Sequence, residues 1–119
     1  MKESPNSLSK HFQTLRKILL SYSQIKEVKN IKQTSYYDDY GVIVMQRIKD
    51  DTLVVAFGKG AKLQKLYPQL SGDGKVVRHL YFKADEVMID EALLRAMIEE
   101  SLALSVEDHE LKVMRCKLR

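Results

Sequence analysis

Leu8, Phe12, Leu15, Leu19 and Tyr22 recur at intervals of four, three, four and three residues. That spacing lays an apolar stripe along one face of an α-helix. Lys10, Arg16 and Lys17 fall off the stripe and are expected to face water. Ser4 ahead of Pro5, or Ser7, offers an N-cap oxygen for its start. The pattern lapses over residues 21–23, and residues 24–30 read as a short second helical turn. From Ile31 the period shortens towards two. Residues 31–37 read as a strand, Asp38-Asp39-Tyr40-Gly41 as a turn, and residues 42–49 as a second strand. Asp50-Asp51 reverses the chain into a third, β-branched strand over 53–57. A helical turn over 61–66 and a Ser71-Gly72-Asp73-Gly74 loop precede a fourth strand over 76–83. Connections this short favour antiparallel neighbours, because a parallel crossover needs a dozen or more residues.

Asp90 is placed to cap the strongest helix of the chain, from Glu91 to about residue 104, with Leu93, Leu94, Met97, Ile98 and Leu102 on its buried face. Beyond it, Leu111, Val113, Cys116 and Leu118 fit either an edge strand or a further helix. No repeat, low-complexity tract or linker divides the chain. The pattern predicts one α+β domain over residues 1–119, with a core at about 8–104 and a C-terminal extension over 105–119. In it, an antiparallel sheet of about four to five strands carries N-terminal and C-terminal helices packed against it.

Composition narrows the setting. At 119 residues and 45% hydrophobic the chain can build a single core. No segment approaches the roughly 18 to 20 apolar residues of a membrane span, and the first residues begin no apolar run of the signal-peptide kind. Cys116 is the lone cysteine, so no internal disulfide framework exists. The expected setting is the cytoplasm, with no membrane partner. The net charge of +4 hides a strong segregation. Residues 1–84 carry 15 Lys and Arg against 7 acids, residues 85–110 carry 9 acids against Arg95, and the last nine residues add four cations. Such a pattern suits solvated surface, complementary packing within a monomer or homodimer, or an anionic partner.

Four of the five glycines lie in two pairs surrounded by cations, Gly58-Lys59-Gly60-Ala61-Lys62-Leu63 and Gly72-Asp73-Gly74-Lys75-Val76-Val77-Arg78-His79. Around these pairs the chain resembles a bacterial domain-of-unknown-function family, the YdhG-like domains. Phe57, Gly60, Ala61 and Leu63 match a strand-ending motif of that family. Leu70, Gly72, Gly74, Lys75, Arg78 and Leu80 match the motif that follows, and Asp90 through Ile98 matches the start of a C-terminal helix. The resemblance covers roughly residues 8–104. One position departs: the family's Pro before an aromatic in the first strand is missing, although Tyr36 is kept. The resemblance implies the α+β fold and no defined activity. One branch of the family has been proposed as a frataxin-like iron chaperone.

Candidate chemistry centres on the glycine pairs. If the two loops meet, their backbone N–H groups and Lys59, Lys62, Lys75 and Arg78 could hold a small anionic ligand, with Arg78 gripping it in a bidentate manner. Gly58, Gly60, Gly72, Gly74 and His79 complete the candidate ligand-binding set. The alternative is that the glycines are turn and bulge residues and the cations are solvated. Neither pair completes a nucleotide-binding fingerprint or a P-loop. Arg78 and His79 adjoin on a strand, so their side chains point to opposite faces. An iron site needs converging carboxylates; Glu91 and Glu99 stand about 12 Å apart along a helix, and only Glu107-Asp108-His109-Glu110 is dense enough to consider. No catalytic motif is present, and Cys116 between Arg115 and Lys117 lacks a placed base. Tyr36, Tyr37 and Tyr40 are the aromatics available for stacking on nucleic acid, a less favoured partner. The expectation is a non-enzymatic anion-binding module, with iron chaperoning and an oligomeric structural role as alternatives, and no cofactor assigned.

Overall fold

The computed structural model describes residues 4–85 and 91–117, with side chains from Leu8 onward. Helix α1 spans Ser4–Leu20. Five strands follow: β1 Lys26–Lys29, β2 Thr34–Asp38, β3 Gly41–Lys49, β4 Thr52–Phe57 and β5 Arg78–Lys83. The single turn of helix α2, Gly60–Leu63, lies between β4 and β5, and helix α3 runs from Glu91 to Lys117. The sheet is an antiparallel meander in the order β1-β2-β3-β4-β5. The fold class and the antiparallel pairing are those the alternation and short connections predict. Helix α1 already runs through Ser7, so Ser7 lies inside the helix and does not cap its start; the Ser4 side chain, the capping role of Asp90 and the place of Leu118 lie outside the described residues.

Two local expectations are corrected. Residues 24–30 form no helical turn; Lys26–Lys29 is an edge strand, in register with Thr34–Tyr37 of β2. Its four-residue length explains the ambiguity: the segment is mostly exposed, and cross-strand pairing, not burial, decides its conformation. The C-terminal tail is neither an edge strand nor a separate helix but the continuation of α3. No Gly or Pro interrupts residues 91–117, and Glu, Leu, Lys, Met and Arg all favour helix. At 27 residues α3 is about 40 Å long at 1.5 Å per residue, which exceeds the 26 Å breadth of the molecule. Its residues from Val106 to Lys117 are largely exposed.

Both turns read at acidic dipeptides form, for different reasons. The Asp38 carboxylate accepts the backbone N–H groups of Tyr40 (2.8 Å) and Gly41 (3.0 Å), an Asx-type closure of the β2–β3 connection. Asp50 and Asp51 both hold positive φ, 52° and 57°, between paired Lys49 and Thr52. That is a two-residue turn whose twist matches the flanking strands, and aspartate tolerates its left-handed backbone better than most residues.

Both helices cover one face of the sheet. Leu8, Leu15 and Leu19 of α1 and Leu94, Met97 and Ile98 of α3 are buried with Val44, Leu53, Val55, Phe57, Leu80 and Phe82 of the strands. A polar network is set into this layer. Arg16 forks onto Glu27 with two hydrogen bonds, of 2.8 and 3.1 Å. The buried Tyr36 hydroxyl donates to the same carboxylate at 2.9 Å and accepts from Gln46 Nε2 at 3.0 Å. Gln46 Nε2 also donates to the Phe12 carbonyl at 3.3 Å. Arg16 holds the Glu27 carboxyl below the ordinary glutamate range, while burial pushes the Tyr36 phenol up.

The glycines of the first pair are required by close packing. A methyl group on Gly58 would lie 2.5 Å from the Val42 carbonyl oxygen, and one on Gly60 would overlap the Arg78 backbone nitrogen and Cβ. Gly74 has no such neighbour: its nearest atom, the Val77 carbonyl oxygen, would be 3.8 Å away. We therefore expect Gly60→Ala to lose about 2 kcal/mol or more, as overpacking against backbone does, lowering the thermal midpoint by roughly 6–12 °C. Gly74→Ala is expected to fall within about 0.5 kcal/mol of the parent protein. Paired denaturation curves check the contrast, and equal midpoints for the two variants would refute the packing argument.

Candidate functional site

The strand-to-helix turn after β4 positions the central cations. Gly58 N–H donates to the Ile43 carbonyl at 3.0 Å, and Ala61 N–H to the Val76 carbonyl at 2.8 Å. Lys62 and Leu63 N–H groups both return to the Lys59 carbonyl, at 3.2 and 3.1 Å. The turn is thus stitched to β3 on one side and to the segment before β5 on the other. The two glycine-rich loops do meet, through the close approach of Gly60 to the Arg78 backbone and the Ala61–Val76 hydrogen bond. The N–H groups of residues 58 and 61–63 are consumed by that stitching, so they do not form an anion cradle.

Lys59 and Lys62, held on this turn, both reach α3. Their ammonium groups lie 2.7 and 2.8 Å from the two oxygens of Asp108, one each. These hydrogen bonds hold the Asp108 carboxyl below the ordinary aspartate range and raise Lys62. Part of the charge segregation along the sequence is thereby resolved within one molecule, acidic helix on basic loop. One and two helical turns further, Lys112 and Arg115 line the same cleft, which has a volume of about 250 Å³. Its far wall is a stacked pair, Tyr40 from the β2–β3 turn against His109 of α3, with ring centroids 4.2 Å apart and planes 15° apart. Buried Ser105 and the exposed Leu111 complete the lining. Four cations thus border a cleft whose single lining carboxylate is already shared between two of them. A second cleft beside it brings Gly58, Lys59, Lys62 and Lys75 together around the same Asp108.

The remaining candidates go elsewhere. Arg78 is spent inside the fold: Nε donates to Gln64 Oε1 at 2.8 Å, and Nη1 donates to the Val77 carbonyl at 3.0 Å and to the Gly74 carbonyl. It straps the 71–77 loop rather than facing a cleft. Gly72, at φ +121°, and Gly74 belong to that strapped loop. His79 points to the opposite sheet face from Arg78, as alternation requires, and stacks on Tyr81 with centroids 5.8 Å apart. Tyr36 is buried and Tyr40 packs on His109, so neither stands on the sheet surface. Among the described residues no group of three or more His, Cys, Asp and Glu side chains could hold a metal ion, and the acidic run at 107–110 has Asp108 engaged by two ammonium groups.

Sequence reasoning found Lys59 and Lys62 but missed Tyr40, Asp108, His109, Lys112 and Arg115 as their companions. A four-residue spacing from Asp108 to Lys112 and a three-residue spacing to Arg115 put these side chains on one helical face. That signal was usable only with α3 known to continue past residue 104.

No protein-family model and no curated protein matches the chain. Among solved structures, it is similar to the crystal structure of YdhG, a DUF1801-family protein from Bacillus subtilis, with 18% identity and a TM-score of 0.59. The similarity covers 82% of this chain and 79% of that one. At that identity the likeness is one of fold, and it agrees with the YdhG-like arrangement implied by the glycine-centred motifs. It carries nothing for iron handling. No helix among the described residues is long and apolar enough to cross a membrane.

The Asp108 clasp has a definite pH sign. Its carboxyl is lowered in the folded state, so its stabilisation is complete above the ordinary aspartate range and is lost as pH falls through the lowered value. The groups are partly exposed, so the worth is about 1 kcal/mol or less. Asp108→Asn should melt slightly below the parent protein at neutral pH, and the gap should close in strong acid and shrink in high salt. Melting curves across pH test this; a gap that is constant with pH would show that the carboxylate's charge is not what matters.

Proposed function

We propose that this protein is a non-enzymatic binding module for a small anionic ligand, taken at the cleft between the Lys59–Lys62 turn and the C-terminal half of α3. The observation that carries the reading is the charge of the lining: Lys59, Lys62, Lys112 and Arg115 against Asp108 alone. An excess of cations in a concave, partly enclosed site raises the local concentration of anions. Arg115 supplies a planar fork suited to phosphate or carboxylate, and the lysines supply point charges. Asp108 holds Lys59 and Lys62 in place until a ligand shares or displaces it. The Tyr40–His109 stack offers a flat apolar wall beside the charges, which suits an anion attached to a ring.

Two charges separated by 4 Å interact by about 1 kcal/mol in water and about 4 kcal/mol near a protein surface, and about 1.4 kcal/mol is a factor of ten in affinity. Titrating inorganic phosphate, pyrophosphate and an aryl phosphate should therefore shift the amide signals of Lys59, Lys62 and residues 108–115. Lys112→Glu combined with Arg115→Glu should weaken binding by roughly ten-fold or more. Asp108→Asn should strengthen it, because it releases two ammonium groups. No response to any of the three probes at millimolar concentration, or a response that the double variant leaves unchanged, would overturn the reading.

A further inference from the structure

The helices occupy one face of the sheet and leave the other open, and the pairing registers specify what that open face presents. Val28, Ser35, Met45, Ala56 and His79 form one continuous row across all five strands. Arg47, Val54 and Tyr81 form the next row, and Lys49, Thr52 and Lys83 the one after. Across these rows the described residues include no aspartate or glutamate, since Glu27 points to the helix side, where it meets Arg16. The cations are Arg47, Lys49 and Lys83. The middle of the face is low because Ser35 and Ala56 are small and buried. At its β5 side stand the His79 and Tyr81 rings, within 23° of parallel, with Tyr81 53% exposed. Between them and β3 lies a cavity of about 130 Å³, whose lining includes Gln33, Met45, Gln46, Arg47, Ala56 and His79.

We infer that this open sheet face is a binding surface for single-stranded nucleic acid, distinct from the cleft at α3. A flat strand surface bearing adjacent aromatic rings lets unstacked bases lie on ring faces, and cations of one sign beside the rings track the phosphates. Arg47 is suited to either role, since its guanidinium can pair with phosphate or stack on a base. The cavity beside His79, about 130 Å³ and lined by both polar and apolar groups, has room for a planar ring. A duplex does not fit this chemistry, because its bases are already stacked and turned inward.

Fluorescence anisotropy of labelled oligo(dT) and oligo(U), about ten nucleotides long, tests the inference on the full chain. Both should bind, and affinity should fall as salt is raised from about 50 to 200 mM. Tyr81→Ala and His79→Ala should each weaken binding by roughly five-fold or more. Arg47→Gln should weaken it and flatten the salt dependence. All three positions are at least partly exposed, so circular dichroism should show the variants folded. Lys112→Glu with Arg115→Glu should leave oligonucleotide binding unchanged, which separates this surface from the cleft. Any one of four results overturns the inference: no binding of either oligonucleotide at about 100 µM protein in low salt, binding untouched by Tyr81→Ala, equal affinity for a duplex of the same length, or loss of binding in the Lys112/Arg115 variant. Self-association abolished by Tyr81→Ala would likewise overturn it, assigning the face to a second copy of the chain.

Discussion

The contact on which the site depends is the approach of Gly60 to the backbone of Arg78. No side chain fits between them, so the first turn of α2 lies directly on the start of β5. With Gly58 against the Val42 carbonyl, the turn is clamped between two strands, and Lys59 and Lys62 have a fixed base from which to reach α3. Arg78 reinforces the clamp from the other side by holding Gln64 and the carbonyls of Gly74 and Val77. An arginine so engaged gives up ligand chemistry for loop order. The cations left to act are those whose stems are fixed but whose charges still face a cleft.

A second constraint is the polar network under α1. Arg16, Glu27, Tyr36 and Gln46 come from four different elements, and their bonds register the helix against the three strands β1 to β3. Sequestering these groups costs desolvation that pairing only partly returns, so the network is better understood as specifying an arrangement than as stabilising it. Gln46 Oε1 is buried without a partner among the described residues, which marks the spot where this network is least satisfied. Apolar packing of Leu15, Leu19, Met97 and Ile98 supplies the cohesion around it.

Most of the fold was legible because its signals are local. The heptad-like stripe of α1, the acidic turns at Asp38 and Asp50, and the alternation of β3 to β5 each depend on residues close in sequence. The edge strand β1 was not legible, because Lys-Glu-Val-Lys carries no strong period and takes its conformation from β2. Nor was the length of α3: past Ser105 its residues lose the buried stripe, since the helix has left the sheet behind, and propensity carries it to Lys117. For the candidate site, chemistry was visible and geometry was not. Lys59 and Lys62 stood out by their neighbours, but Asp108 lies 49 and 46 residues away from them, and nothing local distinguishes it from Glu107 or Glu110. Arg78 stands out in the sequence as a ligand contact, but its partners Gln64 and Gly74 are set by how the loop folds back, which no local pattern shows.

The charge segregation along the chain takes its meaning from these placements. Had the acidic stretch at 99–110 covered the basic body, the positive charge of the first 84 residues would be cancelled by packing. Among the described residues Asp108 pairs with the loop cations Lys59 and Lys62, two at once. Glu91 is taken by Arg95 and Glu99 by the Tyr22 hydroxyl, both along the seam between α1 and α3. The helix therefore engages two of its six acids, Glu91 and Glu99, near its junction with α1 and Tyr22. That leaves positive charge in two separated places, the cleft at Lys112 and Arg115 and the strand surface around Arg47 and Lys49. A net charge of +4 spread evenly would be a solubility property. In the readings proposed above, what counts is the part of it that stands beside a stacked ring pair, Lys112 and Arg115 near Tyr40–His109 and Arg47 near His79–Tyr81.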